Sequence, residues 1–269
     1  MACAAVGLVL ALLLYVGLIH AGVLRSPLSP LPRGDVALAR GDRPGLRVLF
    51  VGNSFTARND MPALVHRLAA ADRGAPAIFA VQFTAAGSTL RRAAHDDELS
   101  ELLREIRWNV VVLQEQSQIP SFSWARRRSD MLPYARRLNE RIEAAGARTL
   151  LFMTWGYRDG DRANVADDTF AAMQARLLDG YSDVGRELSA PVAPVGLVWA
   201  EALRREPELE LWAGDGKHPS EAGSFLTACV FYALLSGRDP SRSGFTAGLG
   251  EEGRFLQRVA ADVLARRVE

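Results

Sequence analysis

Short apolar runs rich in β-branched residues recur along this chain, and each is followed by a stretch with helical spacing. This alternation constrains the fold more than any other feature. Residues 47–51, Arg-Val-Leu-Phe-Val, carry no polar alternation, so a strand there is covered on both faces. Further strands are expected at 77–83, 110–113, 149–153 and 192–195. Helices are expected at 62–71, 96–107, 130–145, 165–188, 197–205, 220–235 and 251–267. Strands separated by helices pair in parallel through right-handed crossovers, which gives a three-layer α/β/α sandwich. In such sheets ligands bind beyond the carboxyl ends of the strands. Residues that carry chemistry should therefore follow strands.

The alternation begins only near Leu46. Residues 2–24 contain no Asp, Glu, Lys or Arg, and residues 1–24 read as an N-terminal membrane anchor or a signal peptide. No cation precedes this run, while Arg25 and Arg33 follow it, so charge bias gives little help with orientation. The expectation is a membrane-anchored chain with an exported globular domain, or a secreted or periplasmic one if the leader is cleaved. Residues 25–45, with Pro27, Pro30, Pro32 and Pro44, read as an extended linker. Residues 46–269 then form one domain, large enough to bury a core without staples. With 49% apolar and 23% charged residues the composition is globular, and a net charge of +1 argues against a nucleic-acid surface. Cys3 and Cys229 make neither a disulfide framework nor a zinc pattern, and Cys229 reads as a small core residue.

Four sequence features stand out: three follow strands, as the sheet rule demands, and the fourth opens a late helix. Gly52-Asn53-Ser54-Phe55-Thr56 directly follows the first strand. A serine there exposes a hydroxyl beside a backbone N–H, which suits attack on a carbonyl and stabilisation of the oxyanion. Asn and Ser are also favoured at caps and turns, so this segment alone does not decide. Neither a P-loop nor a dinucleotide fingerprint is present. Asp215-Gly-Lys-His218-Pro219-Ser220 precedes a helix. Its Asp and His are spaced to meet through a carboxylate and Nδ1–H, leaving Nε2 to accept a serine proton. A capping turn with an exposed His is the plainer alternative. His20, His66 and His95 have no comparable setting. Gly87, after the second strand, allows a close approach and a freely presented N–H. Gln114-Glu115-Gln116-Ser117-Gln118 follows the third strand, with amides able to donate to an oxyanion, or else forms an ordinary polar loop. Glu115 is either structural or an organiser of the two glutamines.

Taken together, these segments resemble the SGNH hydrolases, also called the GDSL esterase/lipase superfamily. Gly52-Asn53-Ser54-Phe55 is similar to the first block, with Asn where the family name has Asp. Gly87 matches the second block, and Asp215-x-x-His218-Pro219 the last. The likeness runs from about residue 46 to 235. Within the superfamily, residues 52–56, 111–117 and 215–220 resemble a largely uncharacterised bacterial subgroup. The resemblance implies a flavodoxin-like parallel sheet of five strands in the order 2-1-3-4-5. It implies a triad of Ser54, Asp215 and His218, and an oxyanion hole from the N–H groups of Ser54 and Gly87 plus a third-block side chain. The family has Asn in that third place; here Gln116 occupies it, with Gln114 as the alternative. The activity implied is ester hydrolysis through an acyl-enzyme on Ser54, with no metal or organic cofactor. The esters expected are short-chain acyl esters or the O-acetyl groups of a carbohydrate. An O-acyltransferase using the same triad, and a non-catalytic carbohydrate-binding or scaffold protein, are the alternatives. Trp124, Trp155 and Tyr157 follow strands and serve either to stack on a sugar or to fill the core. The expected partners are the ester substrate and, through an uncleaved leader, a membrane.

Overall fold

The computed structural model describes residues 31–266. Among them the strands are β1 (Leu31–Gly34), β2 (Leu46–Gly52), β3 (Ile78–Thr84), β4 (Val110–Leu113), β5 (Arg148–Phe152) and β6 (Val192–Ala193). The helices are α1 (Val36–Arg40), α2 (Ser54–Ala57), α3 (Met61–Ala70), α4 (Leu90–Ala93), α5 (Asp97–Glu105), α6 (Trp124–Asp130), α7 (Leu132–Ala144), α8 (Phe170–Leu188), α9 (Val195–Arg205), α10 (Glu221–Ser236) and α11 (Gly250–Ala265).

One sheet holds all six strands in the order β1-β3-β2-β4-β5-β6. β2 pairs in parallel with β3, from Leu46 opposite Ile78 to Gly52 opposite Thr84, and with β4 on its other side. β4–β5 and β5–β6 are also parallel. The inner order is the expected 2-1-3-4-5, but there are six strands, because β1 extends the sheet beyond β3.

Side-chain alternation sorts the layers. The rings of Phe50 and Phe152 meet Phe231 of α10 edge-on, with centroids 5.1 and 4.9 Å apart. Leu151, one position from Phe152, points the other way, toward Gly185 of α8. Val48, Leu49, Phe50, Val111, Leu113 and Leu151 are all essentially inaccessible, as expected for a sheet covered on both faces. Polar caps start the covering helices. Asp96 accepts the Leu99 N–H before α5, Thr169 the Ala172 N–H before α8, and Ser220 the Gly223 N–H before α10. The expected helix at 165–188 starts late, at Phe170. Asp168 is drawn instead into a two-oxygen pairing with Arg176, and its carboxylate also accepts the Asp161 N–H.

The expected linker requires correction. Contacts divide the chain between Leu31 and Pro32, so the packed unit begins well before residue 46. Proline is tolerated on an edge strand, and Asp35 replaces missing ladder bonds: its N–H donates to Ala80 O and its carboxylate accepts the Ala80 N–H. Arg47 Nε then donates to the carbonyl of buried Ala39 at 2.8 Å, docking α1. The proposed leader, residues 1–24, and the start of the linker lie outside the described residues. Among those described, no helix is long and apolar enough to cross a membrane. Cys229 is a buried free thiol, its acidity suppressed by burial.

Candidate active site

β2 delivers the serine. At Gly52 an added Cβ would lie 2.5 Å from Gln114 Oε1 and 2.7 Å from Thr56 Oγ1, so a side chain there would displace the Gln114 amide where the strand turns out of the sheet. Asn53, 2% exposed, then fixes the turn. Its Oδ1 accepts the Phe55 N–H, its N–H donates to Gln114 Oε1, and its Nδ2 donates to Ser88 O. Ser54 follows as the first residue of α2, and its own N–H has no partner among the described residues.

The histidine arrives on a turn before α10. The Ala213 N–H donates to His218 O and the Gly216 N–H to Ala213 O, with Gly216 at φ +67°. Trp155 Nε1 donates to Lys217 O from below. Asn59, itself at φ +53°, reaches across from the serine segment and donates to the carbonyls of Pro219 and Ser220 and to Ser224 Oγ. The chain thus ties residues 54–59 to residues 218–224 directly.

The result is a continuous chain of contacts. Ser54 Oγ lies 2.8 Å from His218 Nε2, and His218 Nδ1 lies 2.5 Å from Asp215 Oδ2. The second oxygen, Oδ1, accepts the N–H groups of Lys217 and His218. Partial burial works against ionisation of Asp215. The hydrogen bonds from the His218 ring and from those two N–H groups outweigh it and hold the carboxyl well below the usual range. An ionised Asp215 fixes the tautomer with hydrogen on Nδ1, leaving Nε2 as the base toward Ser54.

Gly87 sits at φ +64° in a turn closed by the Ser88 N–H to Ala85 O, a conformation that favours glycine at that position. Its N–H also has no partner among the described residues. The Asn53–Ser88 bond sets this loop beside Ser54.

No family model and no curated protein sequence matches the chain. Solved structures do. A protein from Slackia heliotrinireducens assigned to the SGNH hydrolases matches at 26% identity and TM-score 0.59, over 71% of this chain and all of its own. The chain is similar to the SGNH hydrolases. A DUF4886 family protein from Bacteroides uniformis shares the fold at 15% identity and TM-score 0.70, over 83% of this chain and 96% of its own. An acetylxylan esterase from Geobacillus stearothermophilus does so at 18% identity and TM-score 0.53, over 71% of this chain and 94% of its own.

The two third-block glutamines are held differently. Gln114 is 1% exposed, its Oε1 holding Asn53 and Thr56 and its Nε2 donating to Glu115 O, so its amide is committed to the serine turn. Gln116 is only part-buried, but its amide engages the next turn. Oε1 accepts the Gln118 and Ile119 N–H groups, and Nε2 donates one hydrogen to Gln118 Oε1 at 3.2 Å, leaving the other hydrogen uncommitted. Two of the three aromatic residues are core. Trp155 is fully buried between Trp199 and Phe55, and Tyr157 is 6% exposed with its hydroxyl 2.6 Å from Ser117 Oγ. Trp124 is 37% exposed. Asn53, Asn59 and Trp155 organise the site, yet only the adjacency of Asn53 to Ser54 was a signal in the sequence. No cluster of His, Cys, Asp and Glu able to hold a metal ion occurs among the described residues.

Proposed function

We propose that the protein is a serine esterase that cleaves carboxylic esters through an acyl-enzyme on Ser54. The observation that carries this reading is the unbroken chain Ser54 Oγ–His218 Nε2–His218 Nδ1–Asp215. In the first step Ser54 Oγ bonds to the ester carbonyl carbon while its proton passes to His218 Nε2. The oxyanion formed is held by the N–H groups of Ser54 and Gly87, with the uncommitted Gln116 amide hydrogen as the third donor. Collapse of this intermediate breaks the bond to the alcohol, which takes the proton from His218. Water then adds to the acyl carbon, giving its proton to His218, and the acid leaves as Ser54 recovers the proton. Asp215 stays ionised throughout and orients the ring.

The open setting of the triad supports a small acyl group on a larger alcohol. The side chains of Asp215 and His218 are 45% and 28% exposed, so a bulky leaving group can approach from solvent. The esterase from Geobacillus stearothermophilus acts on acetylxylan, which makes O-acetylated carbohydrate the natural first substrate class to try. The uncharged stretch at residues 2–24 supports placing this chemistry outside the cytoplasm.

The test compares wild type with Ser54→Ala for p-nitrophenyl acetate hydrolysis and for labelling by a fluorophosphonate. Loss of the nucleophile is expected to abolish labelling and to lower kcat by roughly 10⁴-fold or more. Equal rates and equal labelling in the two proteins would refute the assignment of Ser54. Release of acetate from acetylated xylo-oligosaccharides tests the substrate class.

A further inference from the structure

Glu115 is the second residue beyond β4 and is fully buried. Its Oε1 accepts two backbone N–H groups, from Leu90 at 3.0 Å and from Gln116 at 2.7 Å. Leu90 opens α4 three residues beyond Gly87, and Gln116 carries the third-block amide. A single carboxyl oxygen therefore joins the loop after β3 to the loop after β4. The loop after β2 is already joined to the loop after β3 by the Asn53 amide. Glu115 completes the set, so that all three donor-bearing loops are linked side to side.

The surroundings of the carboxyl determine its form. Oε2 is buried with no hydrogen-bond partner among the described residues, and no salt bridge there reaches Glu115. The titratable groups facing it are Asp130, a like charge at the end of α6, and Tyr181 of α8, a phenol whose acidity is suppressed chiefly by burial. α4 presents the Leu90 N–H. A carboxylate in such a place would be a buried charge with donors on one oxygen only.

We propose that Glu115 is a positioning residue that sets the spacing of the Gly87 and Gln116 donors, and that it does so as an uncharged carboxylic acid. The proposal rests on the reading of Ser54 as nucleophile with Gly87 and Gln116 beside its oxyanion. Burial pushes the Glu115 acidity up to about 8, only partly offset by the Gln116 and Leu90 N–H groups, with Asp130 adding to the effect. Above that pH the new charge is relieved by admitting water between the two loops, and their spacing is lost. The reacting group still binds, so the loss falls on kcat rather than on KM.

The experiment measures kcat and KM for p-nitrophenyl acetate from pH 6 to 10 in wild type, Glu115→Gln and Glu115→Ala, with Ser54→Ala as the blank. Glu115→Gln keeps the acceptor oxygen but cannot ionise. It is expected to match wild type at pH 6–7 and to hold its kcat past pH 8, where wild type has lost half of its own. Glu115→Ala is expected to lose up to about 100-fold in kcat across the range, with little change in KM. An alkaline decline in Glu115→Gln that coincides with that of wild type overturns the proposal. So does a Glu115→Ala protein that folds and retains wild-type kcat. Fluorophosphonate labelling separates the two levels: labelling that survives Ser54→Ala refutes the nucleophile and this proposal with it. Labelling confined to Ser54, with no difference between the Glu115 variants and wild type, refutes the role of Glu115 alone.

Discussion

Asp215 has both carboxylate oxygens committed to the turn it belongs to: one to the His218 ring, the other to the N–H groups of Lys217 and His218. It therefore has two separable duties, fixing the histidine tautomer and shaping the turn. Asp215→Asn keeps an oxygen for the backbone but offers Nδ1 an amide, which favours the wrong tautomer. We expect kcat to fall by about 10³–10⁴-fold with nearly unchanged thermal stability. Asp215→Ala should lose a similar factor in kcat and also lower the melting temperature, because two backbone donors lose their acceptor. Steady-state kinetics and thermal melts on the two variants distinguish these duties, and equal stability of Asn and Ala variants would refute the second. These residues were legible in the sequence because their geometry is local. Asp215 and His218 are three apart in one turn, and Ser54 is two residues beyond a strand. The glutamines were not, because where an amide points after β4 depends on Asn53, Thr56 and Gln118, which reach it only through the sheet and the following turn.

Elements with a strong apolar period were placed within a residue or two, as for β2, β4 and α3. Those held by single polar contacts were missed. The edge strand β1 is the clearest case: its Pro and Gly content reads as linker, and only its pairing with β3 makes it a strand. Gly34 decides whether that pairing survives. It sits at φ +92°, and a Cβ there would come within 2.6 Å of Ala80 O, a backbone atom that cannot move aside without disturbing β3. Gly34→Ala is expected to destabilise the protein by at least about 1–3 kcal/mol from backbone strain alone. Because β1 is two strands from the one that delivers Ser54, kcat per folded molecule should not change. Denaturant unfolding together with active-site titration checks both halves, and an unchanged unfolding midpoint would show that β1 adds nothing to the fold.

At the scale of the molecule, two buried carboxyl groups of opposite character set how stability responds to pH. Asp72 lies after α3 and receives Arg238 Nε and Nη2 and the Tyr232 hydroxyl from the far end of α10, bonding segments about 160 residues apart. Chiefly through the bond from Arg238, then that from Tyr232, its acidity is held well below the carboxylate norm. Unfolding restores the ordinary value, so the folded state binds fewer protons than the unfolded one in acid. Its contribution is complete above pH 4 and is lost as pH falls further. Glu115 has the reverse sign. Folding raises its value from 4.5 to about 8, so between those limits the folded state holds a proton that the unfolded state has released. Stability from this group is complete below about pH 4.5 and declines as pH rises to about 8, after which it is level. The wild-type melting temperature should therefore peak in the mildly acidic range, between the two limbs. Asp72→Asn is expected to flatten the acid limb and, by breaking a buried network, to lower the melting temperature at the peak. Glu115→Gln is expected to flatten the alkaline limb, so that it equals wild type near pH 4.5 and exceeds it above pH 8. Melting curves of the three proteins from pH 3 to 9 test both signs at once. A Glu115→Gln curve parallel to wild type throughout would show that Glu115 is not buried as a neutral acid, and the alkaline loss of activity would then need a different origin.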